Sequence, residues 1–451
     1  MRILIDPGTS TCTNMGDVAM LQVAVARLRG LWPEAELRVI TSDAVQLVRH
    51  CPGVGAAPES GRRAWCDGVQ LPAVVRARFP AAVRRLSLQL QGGVRHGLPG
   101  VYGVVLRSPA ACRPSRRRAL NTFLRMVHAS DLLVVCGQAT LADDDRTRAL
   151  RMLDTADLAI RHRIPVVMVG QAVGPLTDPA LIRRARYVLP QARLIAIREE
   201  GVALPLLTSL GVNPDRVAFT GDDAVELAWN ERPGALGHAL GVHLRVAPLA
   251  INDTALLQEL ASVIRASAQE LGARLVPLPI SQHGRAGAND PAVLQGVVQG
   301  LSDQADGGAS SDTPLKVIAG AGTCRVVVTG AYHAAVFALS QGVPAICIGR
   351  SSYYLTKFRG LAQLFGPACV VVDLRTRDHE AGLAAAIRER WFAAEATREP
   401  LLAAALRQVR HSHAAYARVG RIVTQSRSGT AADAAEQRVE RAPSPAAEAP
   451  L

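Results

Sequence analysis

Residues 326–349 read VVVTGAYHAAVFALSQGVPAICIG and carry no formal charge when His333 is neutral. Gly330 follows the first apolar run, and Gly342 and Pro344 precede the second, so the stretch divides into a strand, a helix and a strand. This order is the repeating unit of a parallel sheet. The stretch therefore predicts an α/β fold and argues against a single membrane-spanning helix of the same length.

The same alternation of short apolar runs and helical patterns extends on both sides of this unit. Strands are predicted at residues 2–5, 36–40, 131–136, 165–169, 194–197, 217–220, 240–244, 275–278, 326–329 and 345–348. The series restarts after Pro233 and Gly234, which predicts two domains, residues 1–234 and 235–379. Residues 380–425 are predicted to form helices that can cross back to the first domain. Residues 426–451 are rich in Ala, Pro, Glu and Ser and are predicted to be disordered.

Most of the net charge lies in one insert. The chain has 451 residues and a formal charge of +13, and residues 62–118 contain twelve arginines and one acid. Such a local field attracts anions. Within the insert, residues 74–90 mix apolar residues with arginines at a roughly helical spacing, so we expect either a peripheral contact with an anionic membrane or a basic flap over a cleft.

The cysteine pattern and the first residues indicate the compartment. The eight cysteines include no C-x-x-C pair, which argues against a zinc ribbon or a disulfide framework. The first residues, MRILID, begin a strand and not a signal peptide. A cytoplasmic protein is therefore expected, either free or peripheral to the inner face of the membrane. No metal, cofactor or nucleic acid is expected, and a homo-oligomer remains open.

Two loops after predicted strands carry candidate ligand groups. Asn14, Gly16 and Asp17 lie where a glycine-containing loop enters a helix, and free N–H groups at such a point can bind an anion. The alternative is a tight turn without a ligand. His333 follows a strand at the edge of the sheet where ligands collect, and imidazole can transfer protons near neutral pH. The alternative is a histidine with a structural role.

Charged residues follow other predicted strands in the same way. Arg198 and Arg245, one in each domain, could clamp a doubly anionic ligand, or could form salt bridges with neighbouring acids. Asp222 and Asp223 could orient a hydroxyl or act as a base, although such a pair often caps a helix.

Five segments in order resemble the polysaccharide pyruvyl transferase family. They begin at Asn14 (NMGDVAML), Val169 (VGQAVGP), Ile197 (IREE, followed by LGV at 210–212), Thr220 (TGD) and His333 (HAAVFALSQGVP).

The resemblance implies a GT-B-like fold, in which two Rossmann-like domains face each other across a cleft. It also implies phosphoenolpyruvate as the co-substrate and a sugar-containing acceptor. A membrane contact through residues 62–118 would suit an acceptor that is lipid-linked. On the basis of the resemblance, His333 and Asp17 are the expected catalytic residues. The expected donor-binding residues are Arg198, Arg245, Asn14, Gly16 and Lys357, and the expected acceptor or orienting residues are Gln171, Asp222 and Asp290.

The chain departs from the family pattern at two places. Ala331 and Tyr332 stand where the family usually has Arg-Leu, and residues 136–139 (CGQA) replace a run of glycines. Two alternatives therefore stay open. One is a nucleotide-sugar-dependent GT-B glycosyltransferase, and the other is a non-catalytic family member that binds a glycan or an anion.

Overall fold

The computed structural model describes residues 1–7, 9–68, 90–108, 113–245, 253–282 and 289–440, with the backbone alone for residues 138–140 and 426–440. The amphipathic stretch predicted at residues 74–90 lies outside these ranges except for Leu90. In the parts of the chain described here, no helix combines the length and the apolar character needed to cross a membrane.

The first domain is built on a seven-stranded sheet with the order β3-β2-β1-β4-β5-β6-β7. All neighbouring strands in it run parallel. The strands are β1 (Arg2–Pro7), β2 (Glu36–Thr41), β3 (Gly55–Pro58), β4 (Leu132–Leu141), β5 (Val166–Val173), β6 (Leu194–Ile197) and β7 (Val217–Phe219).

The second domain is built on a five-stranded parallel sheet with the order β12-β11-β10-β8-β9. Its strands are β8 (Ala239–His243), β9 (Arg274–Pro277), β10 (Cys324–Thr329), β11 (Ala345–Gly349) and β12 (Cys369–Asp373). The chain thus passes from the first sheet to the second between Phe219 and Ala239. The boundary predicted at 234/235 lies within this connection.

Helices connect the strands and cover the sheets. In the first domain they are α1 (Met15–Leu31), α2 (Ala44–His50), α3 (Glu59–Cys66), α4 (Pro99–Arg107), α5 (Pro114–His128), α6 (Arg146–Arg161), α7 (Pro179–Val188), α8 (Glu200–Ser209) and α9 (Ala224–Asn230). In the second they are α10 (Thr254–Glu270), α11 (Asp290–Val298), α12 (Pro314–Gly322), α13 (Tyr332–Ser340) and α14 (Ser352–Phe365), followed by α15 (His379–Glu440).

Each sheet reverses its strand order at one point, between β1 and β4 in the first and between β8 and β10 in the second. In doubly wound sheets, ligands bind at this switch point, in the crevice beyond the carboxyl ends of the strands. Both sheets have this topology, so the predicted pair of Rossmann-like domains is confirmed.

The two carboxyl edges face each other across a close contact. The backbone N–H of Met15 donates to the carbonyl oxygen of Ile280 at 2.7 Å, and Asn14 pairs with Ser281 as an isolated antiparallel bridge. One apolar cluster joins buried residues of α1, α9 and α13, among them Met20, which places the N-terminus of α1 directly against the second domain.

Helix α15 returns from the second domain to the first. Leu383 and Trp391 near its start pack in the core of the second domain, whereas Tyr416 and Val419 pack in a cluster with the first strand of the chain. The helix continues to Glu440, past residue 425, where the tail is predicted to begin. Residues 441–451 lie outside the described ranges.

Candidate active site

His333 lies where the two domains meet. It occupies the first turn of α13, directly beyond β10, and is 9% exposed. Its Nε2 lies 3.6 Å from Oδ2 of Asp222, which follows β7 of the other domain. The same carboxylate oxygen lies 2.9 Å from Nη1 of Arg198, at the end of β6. The three side chains therefore form one buried line from the second domain into the first.

The His333 ring can lie against α1 because Gly16 has no side chain. A Cβ placed on Gly16 would lie 2.0 Å from both Cγ and Nδ1 of the imidazole. Asn14 fixes this end of the helix, because its side-chain oxygen accepts from the N–H groups of Gly16 at 3.0 Å and of Asp17 at 3.2 Å. Asn14 thus serves as a helix cap, and its contact with the donor stays a prediction.

Asp222 is held in its ionised form. Burial works to raise its pKa, but the Arg198 guanidinium and the neighbouring His333 imidazole outweigh burial and lower the pKa to about 2. Its Oδ1 also accepts from the N–H of Ala224 at 2.8 Å, at the start of α9. A permanently negative group thus stands beside His333 over the whole neutral pH range.

Arg198 supports this carboxylate through contacts within the protein. Its Nε donates to the carbonyl of Gly170 at 2.7 Å, its Nη2 lies 2.9 Å from Sδ of Met20, and its guanidinium carbon lies 5.6 Å from the centre of the Tyr332 ring. The side chain is 2% exposed. Arg198 is therefore placed to position Asp222, and its direct contact with the donor stays a prediction.

Arg245 and Asp290 also bind each other. Nε and Nη2 of Arg245 donate to the two carboxylate oxygens, both at 2.8 Å, and Nε2 of His243 lies 3.0 Å from Oδ2. The backbone N–H groups of Ile280 and Ser281 donate to the same oxygen at 2.9 and 2.6 Å. Burial opposes ionisation, but His243 and Arg245 hold the pKa of Asp290 well below its ordinary value. The cluster holds the loop that contacts α1, and the donor and acceptor roles expected of this pair stay predictions.

Gln171 has a similar supporting role. It is fully buried on β5, and its Nε2 donates to the carbonyls of Val135 at 3.1 Å and Val169 at 2.8 Å. It links β4 and β5 within the sheet, and its expected contact with the acceptor stays a prediction. Asp17 is half-buried in the first turn of α1, and its charge acts on both Arg198 and Lys357.

A cavity of about 260 Å³ opens beside this line of residues, between the end of β5, the start of α8 and helix α14. Glu199, Tyr353, Lys357 and Arg359 supply its charged and phenolic groups. Burial, reinforced by the positive charge of Arg198, lowers the pKa of Lys357 to about 8. Nζ of Lys357 lies 4.0 Å from the centre of the Tyr353 ring and contacts its hydroxyl.

His333 is not part of the cavity wall, but Glu199 is, and it directly follows Arg198. Burial raises the pKa of Glu199, against the opposing charges of Arg198 and Lys357. Glu199, Tyr353 and Arg359 were not predicted as site residues. A signal existed for each: Glu199 lies in the Ile197 segment, and the other two flank Lys357 within residues 352–360.

Asp223 was predicted together with Asp222 but faces the other way. Its carboxylate accepts from the hydroxyls of Ser412 at 2.9 Å and Tyr416 at 3.1 Å, both on α15. Burial raises its pKa to about 6. It therefore fastens the returning helix to the first domain.

Two solved structures show that the whole architecture is that of a GT-B fold. The glycotransferase of kitacinnamycin is 14% identical, with a TM-score of 0.51 over 94% of this chain and 98% of that one. A Listeria monocytogenes protein described as a UDP-N-acetylglucosamine 2-epimerase is 11% identical, with a TM-score of 0.52 over 93% and 94% of the two chains. At these identities the likeness concerns the fold alone, and it confirms the GT-B-like fold that the sequence predicts.

A comparison with curated proteins finds no significant match. A comparison with protein families finds that residues 14–352 match the polysaccharide pyruvyl transferase model. The matched region begins at the Asn14 cap and ends at the start of α14, so it includes His333, Asp222, Arg198 and the contact between the two sheets. The chain belongs to the polysaccharide pyruvyl transferase family.

Proposed function

We propose that this transferase moves a pyruvyl group from phosphoenolpyruvate to two hydroxyls of a sugar-containing acceptor, which can be a lipid-linked glycan. The observation that supports the proposal is the position of His333, between a switch point of each sheet and beside an ionised carboxylate. An acid at this place can start the reaction by protonating the enol carbon of the donor.

The reaction balances without a further reactant. A proton joins the CH₂ carbon of phosphoenolpyruvate, and one acceptor hydroxyl adds to the neighbouring carbon. The bond from that carbon to the phosphate oxygen breaks, and the second hydroxyl closes a ketal. Of the two hydroxyl protons, one is needed to restore the acid and the other leaves with inorganic phosphate.

His333 is the proposed acid. Its Nε2 lies 3.6 Å from Oδ2 of Asp222, so the carboxylate orients the ring, as an aspartate does for a catalytic histidine in other enzymes. Arg198 acts indirectly, because its ion pair with Asp222 keeps that carboxylate charged and in place.

The proposed site for the phosphate and carboxylate of the donor is the cavity at Lys357 and Arg359, from which the enol carbon must extend past the cavity wall to reach His333. Arg198 and Arg245 are occupied by Asp222 and Asp290, whereas Lys357 and Arg359 line an open space of about 260 Å³. A phosphate or carboxylate of the donor would pair with these cations. They take the place of the arginine that the family usually has at the position of Ala331.

Ligand stabilisation tests the donor directly. A ligand present at 100 times its Kd raises the free energy of unfolding by about 2.7 kcal/mol, so phosphoenolpyruvate should raise the melting temperature of the wild-type protein. Lys357→Gln should remove this shift. Lys316→Gln is the matched control, because Lys316 is the only other lysine of the chain and is exposed on α12.

Turnover tests the acid. Release of phosphate from phosphoenolpyruvate in the presence of a sugar acceptor should fall by roughly 10²-fold or more in His333→Gln, since general acid catalysis typically contributes that much.

Stabilisation by nucleotide sugars and not by phosphoenolpyruvate would overturn the proposal and favour a glycosyltransferase. Stabilisation by neither would favour a binding protein.

A further inference from the structure

Helix α4, with the helical residues 90–97 before it, presents apolar side chains to solvent. The exposed fractions are Leu90 62%, Val94 39%, Leu98 59%, Val101 53%, Val104 67% and Val105 47%. A surface helix normally turns charged or polar residues outward, and scattered exposed valines need no explanation. A contiguous series of this kind is different, because such patches mark interaction sites. We call these six residues the apolar stripe.

Helix α4, which carries part of the apolar stripe, packs firmly on the first domain. The opposite side of α4 buries Tyr102 and Leu106, and the Tyr102 ring packs edge-on against Trp65 with a centroid distance of 5.3 Å. In the preceding helical residues, Arg95 and His96 both bind the buried Asp154. The helix is thus anchored on one side, and in the described parts of the chain its second apolar side stays exposed.

Four arginines without an ion-pair partner among the described residues lie at the end of α4 and at the start of α5. Arg107 ends α4, and Arg113, Arg117 and Arg118 lie at the start of α5, which contacts α4. Among the residues that the structure describes, no carboxylate forms an ion pair with any of these four. The whole insert, residues 62–118, has twelve arginines against one acid.

We propose that the apolar stripe and these four arginines form a docking surface for an anionic lipid bilayer. Apolar side chains of an interfacial helix enter the boundary between headgroups and acyl chains, and arginines beside it pair with lipid phosphates. A second copy of this chain is a poorer occupant, because it would bring the arginines of one copy against those of the other. The proposal rests on the insert alone and does not depend on the donor or the acceptor.

Sedimentation with vesicles tests the surface. Wild-type protein should bind phosphatidylcholine vesicles that contain phosphatidylglycerol at low salt, and should bind pure phosphatidylcholine vesicles much less. High salt should release it, because screening weakens the arginine contacts. Replacing Arg107, Arg113, Arg117 and Arg118 by Gln should lower the partition coefficient by roughly 100-fold, since each basic residue near such a surface contributes appreciably.

A matched variant replaces four exposed arginines of α15 and the segment before it, Arg377, Arg407, Arg410 and Arg421, and should bind as the wild type does. The triple variant Val101→Ser, Val104→Ser and Val105→Ser should lose roughly tenfold in binding, because the apolar contribution is removed. Val45→Ser with Val48→Ser, on the exposed side of α2, is its control.

Three results would overturn the proposal. The first is no binding of the wild type to anionic vesicles at low salt. The second is equal loss of binding in the α4–α5 variants and in their controls. The third is a wild-type dimer in light scattering that the triple valine variant dissociates, which would assign the stripe to a second copy of the chain. Phosphate release with a water-soluble acceptor should be the same in all these variants, so a failed reaction and a failed docking surface can be told apart.

Discussion

Among single residues, Gly16 places the strictest demand on the site. Its Cα faces the His333 ring so closely that a Cβ would lie 2.0 Å from two ring atoms. Gly16→Ala must therefore displace the imidazole or the start of α1. We expect a loss of about 1–3 kcal/mol in the free energy of unfolding, as for other overpacked positions, together with a loss of turnover.

The control lies in the same helix. Gly30, near the end of α1, has open space around its Cα, and Gly30→Ala should stabilise the protein by up to about 1 kcal/mol through helix propensity. Urea denaturation measures both variants. Equal effects of the two substitutions would show that Gly16 is not required by the ring.

Lys357 gives donor binding a pH dependence. Its pKa is lowered to about 8 by burial and by Arg198, so the ammonium group loses its proton as the pH rises through about 8. The affinity for phosphoenolpyruvate should then fall between pH 7 and pH 9 in titration calorimetry, with the larger affinity at the lower pH. Lys357→Arg keeps its charge over this range and should abolish the dependence, whereas an unchanged dependence in this variant would contradict the assignment.

Among the secondary-structure elements, the site depends on the ends of β6 and β7 being joined by an ion pair. Asp222→Asn would leave the buried Arg198 guanidinium without its counter-charge, and removing one partner of a buried pair costs about 3–5 kcal/mol. Urea denaturation should show a loss of this size. The control is Asp303→Asn, which breaks an ion pair with Arg274 whose side chains are 76% and 72% exposed, and such surface pairs are worth at most about 1 kcal/mol.

Most of these elements are readable from the sequence. The ten predicted strands are present, and each candidate loop lies at the carboxyl end of its strand, because period and turn residues specify local structure. Strand β3 is missed, since Gly55-Ala-Ala-Pro58 has no β-branched residue. Strand β12 is overlooked although three consecutive valines mark it.

Side-chain partners are less readable than elements. The sequence identifies Arg198, Arg245, Asp222 and Asp290 as charged residues near strand ends, but it does not tell a ligand contact from an internal ion pair. That choice depends on which ends become neighbours in the folded chain. The pairing of Asp223 with Ser412 and Tyr416 joins residues far apart in sequence, which no local pattern specifies.

For the whole molecule, Asp223 makes the attachment of α15 sensitive to pH. Burial raises its pKa to about 6, above the ordinary value of about 3.9 in an unfolded chain. As the pH rises from about 4 to about 6, the unfolded state loses this proton first and is favoured. Asp223 should therefore lower the free energy of unfolding by about 2–3 kcal/mol over this range and by no more above it.

The comparison of wild type with Asp223→Asn isolates this effect. The asparagine cannot ionise, so the difference in stability between the two proteins should change between pH 4 and pH 6 and be constant above about pH 7. Urea unfolding at a series of pH values measures it. A difference that does not vary with pH would show that Asp223 has an ordinary pKa in the folded protein.

The return of α15 has a consequence for biosynthesis. Tyr416 and Val419 belong to the same apolar cluster as Ile3 and Ile5 of β1, so one core joins residues that are translated before and after the second domain. Domains commonly fold one after another during synthesis. Here the N-terminal domain cannot complete this core until the second domain and α15 have been translated.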